Sequence, residues 1–217
     1  MKIKKSDVAM KKLLTAASDV FAEKGFRDST VAEICKRAGA NISAVNYYFG
    51  SKEALYQESW RHSFAESVRV HPQDGGVRDD APAEDRLRGQ VRALMARIAD
   101  ENNRDFFISQ MEFVNPTGLL EEVMKSELIP LREKTLAIVR ELLGPGATDE
   151  QILYSETCII SMCLHPMLIR RVRKMAKKTE APVIIDDLGA FEGHVMKFAL
   201  AGIASIRREI KTDLSHD

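Results

Sequence analysis

Apolar residues recur at helical spacing along almost the whole chain, and polar punctuation cuts them into segments. Met10, Leu13, Leu14, Ala17, Val20 and Phe21 repeat as one stripe, predicting a helix over 7–24 with Ser6 as its cap. Gly25 closes it, and Phe26 is placed to fold back on the last turn. Thr30 and Glu33 then form the T-x-x-E pattern, in which the hydroxyl accepts from the third amide and the glutamate reaches back to the first. The helix they open buries Val31, Ile34, Cys35 and Ala38 and stops at Gly39. Asn41 is placed to cap another that ends at Gly50, and Ser51 to cap a fourth. Leu55, Tyr56, Trp60, Phe64 and Val68 extend that fourth helix well beyond the first three, making it a connector.

Residues 71–84, HPQDGGVRDDAPAE, carry no apolar period and read as a loop. Beyond it, helical spacing returns over 85–102, 105–114, 117–144, 149–178 and 187–210. Pro130 should kink the third of these, and Pro166 should kink or break the fourth near His165. The helix from 149 is apolar on nearly every side, so it must be buried on several faces. Ala201, Gly202 and Ala204 on the last helix permit close approach of a neighbour. The two last helices suit half of a four-helix interface between copies of the chain, with Ile160, Leu164, Leu168, Phe191, His194, Val195, Phe198 and Gly202 as candidates. No strand pattern, repeat or low-complexity tract stands out, so the fold class is all-α. It divides into a three-helix N-terminal domain, 1–51, and a helical bundle, 52–217.

The short helix after Asn41 carries the most chemistry. At about 100° per residue, Val45, Tyr48 and Phe49 fall on one side and Ser43 and Tyr47 on the other, with Ile42 and Asn46 along the edge. The first side is core; the second, with its edge, is suited to reading a surface. Lys52 sits on the first turn of the next helix, where the dipole favours anions, and a DNA phosphate would explain a cation there. Charge supports that partner. The formal net charge is zero, yet over residues 1–52 ten basic side chains face five acidic ones, leaving +5 there and −5 on the remainder.

The spacing resembles the DNA-binding domain of TetR-family transcriptional regulators, through Thr30, Gly39, Val45, Tyr47, Tyr48, Phe49, Ser51, Lys52, Glu53 and Leu55. Two positions depart from the family pattern: Asn46 stands where a tyrosine is usual and Asn41 where serine is common. Asn46 has the donor and acceptor to pair with adenine, so the operator cannot be carried over from relatives. The stretch 112–144, with its NPTG turn, its Ile129-Pro130-Leu131 step and its closing Leu142-Leu143-Gly144, is similar to the CecR-like branch. The resemblance implies a homodimer on a double-stranded, palindromic DNA operator, acting as a repressor released by a small hydrophobic effector. It implies that Ile42, Ser43 and Asn46 reach bases, and that Thr30, Tyr48 and Lys52 hold phosphates. Tyr47 suits either task, and Asn41 completes the set at the helix start.

Phe106, Phe107, Met111, Met124, Met162 and His165 are candidates to line an adaptable effector pocket, although such residues are most often plain core. His165 and His194 are lone histidines on apolar helices and read first as core or interface residues. Cys35, Cys158 and Cys163 lack the count and spacing of a disulfide framework. On a continuous helix Cys158 and His165 lie roughly 10 Å apart along the axis, with Cys163 turned away, so no metal site is expected. No nucleophile–base pair, paired carboxylates or phosphate loop can be built, so neither an enzyme nor a cofactor is expected. No apolar run reaches a membrane span, and no apolar core follows MKIKKSD, so a cytoplasmic protein is expected. Two other classes remain open: a constitutive or architectural DNA-binding dimer without a ligand, and an enzyme or adaptor that merely retains the head.

Overall fold

The computed structural model describes residues 5–176, 185 and 187–213. Among the described residues there are nine helices and no strand. In chain order they are α1 Lys5–Lys24, α2 Val31–Ala38, α3 Ile42–Phe49, α4 Lys52–Val70, α5 Ala83–Ala99, α6 Arg104–Val114, α7 Glu121–Leu143, α8 Asp149–Ala176 and α9 Leu188–Asp213. The local signals in the sequence explain most of these limits. Thr30 Oγ1 accepts from Glu33 N at 3.2 Å, and Asn41 Oδ1 from Ser43 N at 3.0 Å. Ser51 Oγ accepts from Ala54 N at 3.1 Å, while Gly39 takes the left-handed conformation at φ 65° that ends α2.

Packing divides the chain into two compact units, Met1–Val70 with Asp100–Leu128, and His71–Ala99 with Ile129–Asp217. In the first, α1 packs against α2, α4 and α6; α4 also packs on α6, and α3 rests on α2 and α4. Leu13, Ala17, Val20, Phe21, Ile34, Val45, Leu55, Tyr56, Trp60 and Ile108 are buried. Trp60 is held by more than its area, since its indole Nε1 donates to Ser109 Oγ at 2.9 Å and to the Asp105 carbonyl at 3.2 Å. Ser63 Oγ accepts from Asp105 N at 2.8 Å, so buried polar groups of α4 match the start of α6.

In the second unit α5, α8 and α9 pack on one another. Their core is Leu87, Val91, Met95, Ile152, Ile159, Cys163, Val195, Met196, Ala199 and Ile203, with Ile138, Val139 and Leu143 of α7. Two ion pairs brace it: Arg132 with the buried Glu156 at 3.0 Å, and Arg92 with Glu192 at 3.1 Å.

Several expectations are corrected. Met10 is 38% exposed and does not cover the core expected of it. Ser6 lies within α1 rather than capping it. The Glu33 carboxylate does not return to the first amide of α2; it pairs with Lys24 at 2.6 Å, because α1 passes close enough to offer a cation. Helix α7 starts at Glu121 and not at 117, since residues 115–120 form a separate turn. Of the kink or break expected at Pro166, the break does not occur, since α8 runs on to Ala176.

Gly89 shows where tertiary packing overrides helix propensity. A Cβ there would lie 2.2 Å from the Asp74 carbonyl oxygen and 2.8 Å from Val77 Cγ2. Gly89→Ala should therefore cost about 1–3 kcal/mol by overpacking, although alanine normally gains about 1 kcal/mol inside a helix. Gly193→Ala in α9, where nothing lies within 4 Å, should gain instead. Urea unfolding of both variants beside the parent measures the two signs.

Candidate nucleic-acid interface

Helix α3 is only eight residues long, too short to persist in water without help from its ends and one face. Asn41 caps its start, and the amide of Gly50 returns to the Val45 and Asn46 carbonyls at its end. Val45 is buried and Tyr48 and Phe49 half-buried, whereas Ile42, Ser43, Asn46 and Tyr47 face outward, Tyr47 with 82% of its surface free. The ring of Tyr47 meets that of Tyr48 edge-on at 5.0 Å. One side of a short helix is thus anchored, and the other presents a methyl-rich edge, a hydroxyl, a carboxamide and a phenol.

The polar atoms of that face are partly committed. Asn41 Oδ1 also accepts from the Ser43 hydroxyl at 3.1 Å, leaving the Asn41 amide nitrogen and the Ser43 lone pairs for a ligand. The Thr30 hydroxyl, exposed at the start of α2, spends an acceptor on its cap. Lys52 is bent back: its Nζ donates to the Phe26 carbonyl at 2.6 Å and sits 4.3 Å from the centre of the Phe26 ring. Burial pushes its pKa below the ordinary lysine value, with the carboxylates of Glu53 and Asp28 opposing. An ammonium has three donors, so two remain for an anion at the start of α4.

Some basic side chains of the first unit are paired within it. Arg37 pairs with Glu23 through two hydrogen bonds of 2.7 and 3.0 Å, and Arg104 with Asp19 at 2.6 Å. Lys12 and Lys36 are exposed.

The other candidates fall into separate places. Phe106 and Phe107 touch at 5.7 Å on α6 and, like Met124, are half-buried in the first unit. Met111 lines a cleft of about 50 Å³ with Gly25, Phe26, Arg27, Tyr56 and Glu112, far below the roughly 300 Å³ at which drug-sized pockets begin. Met162 and His165 belong to the second unit, Met162 against its core and His165 exposed. Of the interface candidates, Phe198 is 63% exposed, and its ring lies 5.1 Å from that of His194, also exposed. Gly202 is exposed, and Ile160, Leu164 and Phe191 are half-buried. Val195 is corrected: it points into its own unit's core, so it backs this face rather than forming it. The side chain of Leu168 lies outside the described residues. Among the described residues no cluster of metal ligands occurs. Burial pushes the Cys163 thiol up to about 12, far from a reactive thiolate.

Sequence reasoning missed Glu112 and Arg27. Glu112 accepts from Tyr56 OH at 3.1 Å, from Thr117 N at 2.7 Å and from Gly118 N at 2.9 Å. Arg27 donates to Asn115 Oδ1 and to the Pro116 carbonyl. A glutamate five residues before a Thr-Gly pair was the available signal.

Two family descriptions match the chain. Bacterial regulatory proteins of the tetR family match residues 13–58, which span most of α1, all of α2 and α3 and the start of α4. The C-terminal domain of the HTH-type transcriptional dual regulator CecR matches residues 83–203. A curated relative, the HTH-type transcriptional dual regulator CecR of Shigella flexneri, is 31% identical over 173 residues, 74% of this chain and 76% of that one. Solved structures share the fold. The fatty acid degradation regulator FadR from Bacillus halodurans superposes with a TM-score of 0.63 at 19% identity, over 92% of this chain and 97% of that one. A TetR-like transcriptional regulator from Rhodococcus sp. RHA1 gives 0.65 at 17% identity, over 94% and 99%. With its capped two-helix reading head and a matching C-terminal domain, the chain belongs to the TetR family of DNA-binding transcription regulators, in its CecR-like branch, and is not an enzyme.

Proposed function

We propose that the protein is a homodimeric, effector-responsive repressor that acts in the cytoplasm. Residues 1–51 form its DNA-reading head and 52–217 its effector-binding and dimerisation body. Each copy lays α3 in the major groove of one half of a palindromic operator, the two half-sites about 34–36 Å apart. Ile42, Ser43 and Asn46 address bases; Thr30, Tyr48 and Lys52 hold phosphates; Tyr47 serves either; and Asn41 presents its free amide at the helix start. The outward set of α3, opposite the buried Val45, is the observation that carries this reading.

The copies meet through α8 and α9. Their outer faces carry Tyr154, 61% exposed, and Phe198, 63% exposed, which are costly to leave in water and gain by association. A small hydrophobic effector prefers a body conformation that holds the heads at the wrong separation, and so releases DNA. The half-buried Phe106, Phe107 and Met124 of the first unit are side chains that such an effector would displace or line. The CecR relative is named a dual regulator, which favours a second reading in which the same dimer activates at some sites. Selection of bound sequences from random DNA, followed by reporter assays on the sites recovered, tests the proposal. Enrichment of a two-fold symmetric site that the protein silences supports it; enrichment of no sequence overturns it.

Asn46→Ala should relax base preference at one position of each half-site, losing about 1–3 kcal/mol of discrimination. Lys52→Ala should weaken all DNA alike and lower the salt slope by about one unit per head. Binding isotherms at several salt concentrations separate the two effects. Phe198→Glu should leave the helix content unchanged while shifting sedimentation from dimer to monomer, with operator affinity falling alongside.

A further inference from the structure

The head's α1–α2 loop, residues 25–29, is held from two sides inside the first unit. From α4, Lys52 donates to the Phe26 carbonyl at 2.6 Å, and the Tyr56 ring lies 5.1 Å from that of Phe26. From the turn after α6, Asn115 Oδ1 and the Pro116 carbonyl receive the Arg27 guanidinium, the latter at 3.1 Å. Gly25 sits between them at φ 74°, and a Cβ on it would come within 3.2 Å of Met111 Cε.

The turn that makes this contact holds itself by one side-chain bond, Leu119 N to Thr117 Oγ1 at 3.1 Å, and draws further support from α4 and α6. It spans 115–120, contains Pro116 and a positive-φ Gly118, and lies outside any helix. What shapes it is one carboxylate. Glu112 Oε1 accepts from the amides of Thr117 and Gly118 and from the Thr117 hydroxyl at 2.7, 2.9 and 2.8 Å. Its other oxygen accepts from Tyr56 OH of α4 at 3.1 Å. Gln57, one residue on, donates to the Leu119 carbonyl at 2.7 Å. A charged acceptor with several donors is among the stronger arrangements available to a side chain, and it fixes direction as well as distance. The turn then runs directly into α7.

We propose that Glu112 is a positioning residue of the DNA-reading head: by shaping the 115–118 turn and tying it to Tyr56, it presents Asn115 and Pro116 to Arg27 and so fixes the angle of the head. Glu112 touches no DNA in this arrangement. It acts through the turn and the loop, and its consequence in a dimer is the separation at which two heads fit two half-sites. The inference rests on the dimeric-regulator reading above for that consequence.

The test uses the full-length protein and operators, recovered by selection, whose half-sites are moved together or apart by one or two base pairs, with a single half-site as reference. Glu112→Gln keeps the shape but weakens the carboxylate contacts; Asn115→Ala removes an Arg27 acceptor on an exposed turn and keeps the test open if the first variant does not fold. Both should lose about fivefold or more of the parent's preference for the best-spaced operator over its shifted neighbours. Single half-site affinity should stay close to the parent's in both variants, as should the thermal midpoint of Asn115→Ala, whereas Glu112→Gln should melt lower because its charged acceptor is lost. Hydrogen exchange at the Thr117 and Gly118 amides should quicken in Glu112→Gln and not in Asn115→Ala. Spacing preference equal to the parent's in the folded variants overturns the proposal. Equal proportional loss on half-sites and full sites also overturns it, because that marks general weakening rather than positioning. A parent that binds no DNA would instead sink the regulator reading itself.

Discussion

A helix of eight residues cannot stand by itself, and the proposed reading surface of this protein is one side of such a helix. The packing of Val45 against its neighbours, with Asn41 and Gly50 closing the two ends, is what lets Ile42, Ser43, Asn46 and Tyr47 face outward in a fixed register. Every functional inference depends on that asymmetry. Were the inner side loosened, the outer side chains would lose the common orientation that groove recognition needs.

Around that anchor the structure spends polar groups on holding the head still. Lys52, proposed to meet a phosphate, grips the Phe26 carbonyl, and Arg37 is paired with Glu23. The pair of Arg37 with Glu23 is already counted in the net of +5, but it leaves fewer basic side chains free to reach a partner. Placement of the remaining donors at helix starts, where amides and dipole favour an anion, matters more than net charge. The same economy appears at Glu112, whose carboxylate organises a turn, a loop and a helix together.

The parts of this arrangement that were legible in sequence are those set within a few residues. The caps at Thr30, Asn41 and Ser51 and the stops at Gly39 and Gly50 depend on local backbone geometry, and they fall where local rules place them. What sequence could not supply was the partner across space. Glu33 turned to Lys24, Met10 came to the surface, and Val195 turned inward, each because of which helix lies opposite. Periodicity tells which side of a helix is apolar and not what covers it. The pairing of α6 with α1 and α4, which makes Glu112 and Arg27 important, was invisible for that reason. At Pro166, where a kink or a break was expected, the helix is not broken, and α8 continues through it.

The outward face of α3 is tested most directly by hydroxyl-radical footprinting with mass spectrometry at Tyr47, 82% exposed in the free chain. The account predicts rapid oxidation of Tyr47 in free protein and strong protection when a selected operator is added, at salt low enough for full binding. Equal oxidation of Tyr47 with and without saturating DNA, or slow oxidation in its absence, would contradict it.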